Sequence, residues 1–125
     1  MLTFVAVALA DWSATSIKAL ADRPRPPLRY PEPKTLVPLP RDASFPSGHA
    51  ATSFAAATML TFAFPRLAAP LFVLAAAVAF SRVYVGVHYP LDVIGGAALG
   101  ALVATALRLL VTTRLRSRRA TPVER

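Results

Sequence analysis

The sequence predicts an all-α, membrane-embedded bundle of about four helices. Hydrophobic residues make up 55% of the 125 residues and the mean hydropathy is +0.52, both richer than an ordinary soluble domain. The apolar residues fall into four long stretches, none with the polar stripe of a water-facing helix. The polar chemistry is gathered into three islands at the ends of those stretches. A soluble bundle of unusually apolar helices is the competing fold, but lipid exposure explains apolarity on every side more simply.

The first stretch covers residues 1–20, is interrupted by Asp11 and closes on Lys18; Asp11 has no evident role. The second, residues 50–64, is uncharged and approaches the ~20 residues of a bilayer span only if Ser47 to His49 open its first turn. Pro65-Arg66 predicts a tight turn into the third stretch, residues 67–85, uncharged until Arg82. The fourth runs over residues 91–111, with Pro90 where a first helical turn tolerates a missing N–H. Within it, Gly96-Ala97-Ala98-Leu99-Gly100 is a GxxxG that allows close helix approach and specifies no chemistry.

Between the first two stretches, residues 22–46 hold eight of the twelve prolines, five Lys or Arg and three acids. No helix is expected through that proline density. A long functional loop is the reading adopted, and a disordered linker is the alternative. The expected organisation is a membrane domain over residues 1–113, with the loop 21–46 outside the cytoplasm, and a basic cytoplasmic tail over 114–125. Basic residues divide seven against seven between the two sides. If a substrate holds Lys18, Arg25 and Arg82, the balance becomes four against seven and the tail lies inside.

The formal charge of +8 admits nucleic acid, an anionic membrane surface or an anionic substrate. Aromatics do not interleave with the basic residues, so no nucleic-acid partner is expected. Without cysteine there is no disulfide framework and no thiolate metal site, and the redox compartment goes unreported.

An up-and-down path brings the islands to one side of the membrane. Lys18 and Arg25 flank the end of the first helix, Ser47 to His49 begin the second, Arg82 ends the third, and His88 to Asp92 lead into the fourth. Arg25 and Arg82 are planar forks suited to phosphate oxygens, and Lys18 adds a point charge. Ser47 and Gly48 offer a hydroxyl and unpaired N–H groups at a helix start. Such a set stabilises charge on a transferring phosphoryl group. His88 and Asp92 are four apart, so the carboxylate can fix the ring tautomer and leave the other nitrogen to attack phosphorus. His49 then serves as proton donor to the leaving alkoxide and base for water. The plainer readings are a structural histidine, snorkelling anchors for Lys18 and Arg82, and a helix-dipole charge for Asp92. No metal is expected, because three nearby cations oppose one.

The patterns Lys18-x6-Arg25-Pro26, Pro46-Ser47-Gly48-His49 and Ser81-Arg82-x5-His88-x3-Asp92 resemble the three signature motifs of the type 2 phosphatidic acid phosphatase (PAP2) superfamily. The resemblance spans residues 18–92 and implies the core shared with vanadium-dependent haloperoxidases. It further implies a cofactor-free membrane phosphatase of lipid phosphates or prenyl diphosphates, working in the plasma membrane with its site on the extracytoplasmic face. Under it, His88 is the nucleophile that becomes phosphohistidine, Asp92 orients it, His49 protonates the leaving group, and Lys18, Arg25, Ser47, Gly48 and Arg82 hold the phosphate. Membrane members usually have six transmembrane helices and this chain has room for about four, so it resembles their C-terminal two-thirds, as a gene model that starts late or as a minimal or partial form. The alternatives are an inactive truncated membrane subunit and a haloperoxidase-like protein, the latter opposed by the apolar helices. Oligomeric state and the choice of lipid are not legible.

Overall fold

A computed structural model describes the backbone of residues 1–30 and 34–120, and side chains to residue 117. It is helical, with no strand among the described residues. The elements are α1 (Leu2–Ala21), a single turn α2 (Pro26–Arg29), α3 (Gly48–Ala63), a 3-10 turn (Pro65–Leu67), α4 (Ala68–Tyr84) and α5 (Pro90–Ala120). Three stretches are long and apolar enough to cross a membrane: Leu2–Arg29, Pro65–Tyr84 and Pro90–Ser117. Their outward faces carry large apolar side chains such as Phe4, Trp12, Val73, Phe80 and Leu102, as lipid contact requires.

The fourth long element, α3, is the axis of the bundle. Its 16 residues reach about 24 Å, and it packs against α1, α4 and α5. A helix apolar on all sides is stable when its neighbours bury it, and Ala50, Ala51, Ala55, Ala57 and Met59 are buried. Alanine does this because it holds helices close without losing rotamer entropy. On α1, Ala6, Ala10 and Ala14 repeat every four residues and are fully buried against the same core.

The GxxxG of α5 sits against α3. A Cβ on Gly96 would run into the Ser47 carbonyl, and one on Gly100 into the Ala51 carbonyl. These two glycines therefore set the α3–α5 distance, and through it the position of the α3 N-terminus.

One expectation is corrected. The proline-rich loop does contain helix: Pro26 and Pro27 occupy the first positions of α2, where the missing N–H groups cost nothing. Beyond its apolar stretch, α5 continues through the basic run to Ala120. Leucine and arginine are good helix formers, and no Gly or Pro intervenes before Pro122. The expected tail beyond residue 120, and residues 31–33 of the loop, lie outside the described residues.

Candidate active site

Helix polarity alternates, so the C-terminal ends of α1 and α4 meet the N-terminal ends of α3 and α5. At that end lies a cavity of about 500 Å³, and Lys18, Arg25, Gly48, His49, Arg82 and His88 all line it. The three islands therefore converge, and both imidazoles face one space.

Each residue is placed by a local device. Lys18 occupies the last turn of α1, which ends at Asp22 in a left-handed conformation. The chain then turns so that Arg25 is buried, 2% exposed. Its Nε donates to the Asp42 carbonyl (3.0 Å) and its Nη1 to the Val87 carbonyl (2.9 Å), while Nη2 donates to Asp42 Oδ1 (2.6 Å). This holds the guanidinium plane across the cavity wall. Its Nη1 also stands 3.2 Å from His88 Nε2. A guanidinium only donates, so Nε2 is assigned as the acceptor and the ring proton to Nδ1.

His88 lies in the connection between α4 and α5, after a turn at Gly86, whose φ of +80° favours glycine. Its Nδ1 is buried and 3.6 Å from Asp92 Oδ2, an ion-pair distance and not a hydrogen bond, with the Ser44 backbone also acting on the ring. Burial, and then the charge of Arg25, push the ring down to about 4, against the opposing Asp92 carboxylate. The imidazole is thus neutral at pH 7; its Nε2 lone pair accepts from Arg25 here, and a phosphate that took that donor would leave it free to attack.

Asp92 is fully buried behind the ring. Its carboxylate accepts from Ser44 Oγ, from Arg23 Nη1 (2.7 Å) and from the Tyr89 N–H (2.9 Å). The last bond reaches back from the first turn of α5 to the residue before it, as in a capping box. Arg23 also stacks over the Tyr89 ring at 4.4 Å. The Asp92 carbonyl accepts from the Ser47 N–H (2.9 Å), which ties the start of α5 to the start of α3.

Two of the expected residues are not on the cavity wall. Asp92 stands behind His88. Ser47 is fully buried as the N-cap of α3, where its hydroxyl accepts from the Ala50 N–H (3.4 Å). Gly48 and His49, the first two helical residues, do face the cavity. Arg82 reaches it from the last turn of α4, with its Nε donating to Ser81 Oγ (3.2 Å).

The sequence reading missed Asp42. Its carboxylate bridges Lys18 and Arg25, while its side chain remains 51% exposed. Burial alone would raise this carboxyl, but the hydrogen bonds from Lys18 and Arg25 outweigh that and hold it at about 2. Arg23 and Ser44, the partners of Asp92, were missed too. No local pattern marks them, because they come from a loop and find partners far along the chain.

A profile of the PAP2 superfamily matches residues 1–116. The chain is 40% identical over 116 residues to a decaprenylphosphoryl-5-phosphoribose phosphatase of Mycobacterium tuberculosis, covering 93% of this chain and 61% of that protein. It is 42% identical over 80 residues to an undecaprenyl-diphosphatase of Sulfolobus acidocaldarius, covering 62% of this chain and 39% of that one. Among solved structures it resembles Aquifex aeolicus LpxE, with a TM-score of 0.79 and 33% identity over 86% of this chain and 65% of that one. It also resembles a PAP2-type phosphatidylglycerolphosphate phosphatase of Bacillus subtilis, with a TM-score of 0.68, 25% identity, and coverage of 98% and 61%. The chain therefore spans less than two thirds of the length of these relatives. With the family profile covering nearly all of it, the chain belongs to the PAP2 superfamily.

Proposed function

We propose that this protein is an integral-membrane phosphatase that hydrolyses a lipid phosphate monoester or a prenyl diphosphate through a phosphohistidine on His88, without metal. The observation that carries this reading is the shared cavity: two imidazoles and three cations around a space large enough for a phosphate and its linker.

In this mechanism Lys18, Arg25, Arg82 and the α3 N–H groups beginning at Gly48 hold the phosphoryl oxygens and stabilise their charge in the transition state. His88 Nε2 attacks phosphorus in line with the leaving oxygen. His49, on the wall of the same cavity, gives its proton to that oxygen, then takes one from the water that cleaves the N–P bond. Asp92 stabilises the positive ring that forms on His88, as a buried carboxylate does for an imidazolium. Three cations supply the electrophilic charge that a metal would otherwise bring.

The basic run after residue 108 supports placing that end of the bundle at the cytoplasm and the cavity at the opposite, extracytoplasmic face of the plasma membrane. The relatives named as acting on polyprenyl phosphate compounds support the substrate class. The test is phosphate release in detergent from phosphatidate, phosphatidylglycerol phosphate and undecaprenyl diphosphate, with excess EDTA present. Release that His88→Ala abolishes supports the reading. No release from any of the three, or release restored only by a divalent metal, would overturn it.

A further inference from the structure

Asp11 is the one acid within the apolar stretch of α1, and a carboxylate at such a position is costly unless it has a use. Among the described residues neither its side chain nor that of Thr15 has a hydrogen-bond or ion-pair partner. Both line the same cavity as the histidines. The nearest atom to a Cβ built on Gly48 would be Asp11 Oδ1, at 3.8 Å, so the carboxylate lies beside the start of α3 and next to His49.

Register then says what could lie there. Asp11, Thr15 and Lys18 are spaced i, i+4, i+7 and share one face of α1. From Lys18 to Asp11 the face descends about 10 Å. Below Asp11 the same face continues as Ala8, Val7 and Phe4. An amphiphile lying along it, phosphate at Lys18, meets a donor-acceptor pair first and hydrocarbon afterwards. The proton donor His49 marks the leaving-group side of the phosphate, and that is the side Asp11 flanks. A leaving group that is hydrocarbon from its first carbon would strand a carboxylate and a hydroxyl against it.

We propose that Asp11 and Thr15 form a hydroxyl-binding subsite, so that the preferred substrate is a lipid whose phosphate monoester sits on a hydroxylated linker, a polyol or a sugar, between phosphate and tail. Asp11 accepts a hydrogen bond from a linker hydroxyl and Thr15 supplies a second polar contact one turn nearer the phosphate. This inference rests on the phosphatase reading above, and its test separates the two.

The experiment compares two short-chain lipids in detergent: a phosphatidylglycerol phosphate, and its counterpart with the free glycerol hydroxyl replaced by hydrogen. Hydrogen bonds to charged groups predict a wild-type kcat/KM ratio of at least about tenfold in favour of the hydroxylated lipid. In Asp11→Ala the ratio falls to within about threefold, and Thr15→Val narrows it in part. A wild-type ratio near one overturns the subsite while leaving the phosphatase intact. An Asp11→Ala variant that loses the same factor on both lipids, ratio unchanged, overturns it as well, since Asp11 would then act through His49 or the fold. Release from neither lipid by the wild type, nor from undecaprenyl diphosphate, sinks the phosphatase reading and the subsite with it.

Discussion

The state of His88 offers a quantitative check. The ring is 5% exposed and its protonation midpoint is pushed down from 6.5 to about 4. At roughly 1.4 kcal/mol per pH unit, the charged ring is disfavoured by about 3 kcal/mol relative to solvent. Burial is the largest cause and the Arg25 guanidinium, with Nη1 3.2 Å away, the second. Removing that charge in Arg25→Met should move the midpoint upward without restoring 6.5, since burial persists. The chain has only two histidines, so ring resonances of ¹⁵N-histidine-labelled protein in micelles can be assigned with a single His49→Gln variant. The linkage follows the same numbers. The folded midpoint lies below the unfolded one, so the unfolded chain binds the proton first. Stability from this group is intact above pH 6.5, drains away as pH falls from 6.5 to about 4, and changes no further below that. A wild-type His88 that titrates near 6.5, or a midpoint unmoved by Arg25→Met, would refute this account of the nucleophile.

His49→Gln should lower phosphate release from a lipid substrate by about 10²–10⁴-fold, yet cost much less on an aryl phosphate whose leaving group needs no proton; equal losses on both would contradict the general-acid role. Gly100→Val places a side chain against the Ala51 carbonyl and should cost about 3 kcal/mol or more, read as a lower melting temperature in detergent. An unchanged melting temperature would mean that α3 and α5 do not meet at that glycine. Asp42→Asn removes the carboxylate that competes for Lys18 and Arg25. Lys18 and Arg25 are largely buried although Asp42 is half exposed, so these pairs exceed the ~0.2–1 kcal/mol of exposed ones and inhibition by inorganic phosphate should tighten by about fivefold or more; weaker inhibition would show that Asp42 serves to position the two cations.

Much of the site was readable because its residues sit at helix ends, where spacing and an alternating path fix which end they share. Lys18, Gly48, His49, Arg82 and His88 met for that reason. The glycines of α5 were readable as a close-approach motif, although their partner helix was not. What sequence reasoning could not supply is the loop. Asp42 reaches Lys18 across 24 residues, Ser44 reaches Asp92 across 48, and Arg23 reaches Asp92 across 69. Such pairs depend on how a proline-rich segment folds over the helix ends, which no periodicity encodes. The same gap explains Ser47 and Asp92. Residue type pointed Ser47 at phosphate and Asp92 at the ring; the structure adds that the Ser47 hydroxyl caps α3 and that Asp92, 3.6 Å from His88 Nδ1, also ties Ser44, Arg23 and Tyr89 together. Hydropathy marks only the apolar stretch of residues 91–111, whereas α5 continues through the basic run to Ala120, because helix propensity does not fall where polarity rises.

The central claim is that phosphorus passes through His88. Reaction with a ³²P-labelled phosphatidate, quenched in alkali and digested, should leave label on the peptide containing His88, stable in base, labile in acid, and absent from His88→Ala. Label on His49 or on Ser47, or full turnover by the His88→Ala variant, would contradict it.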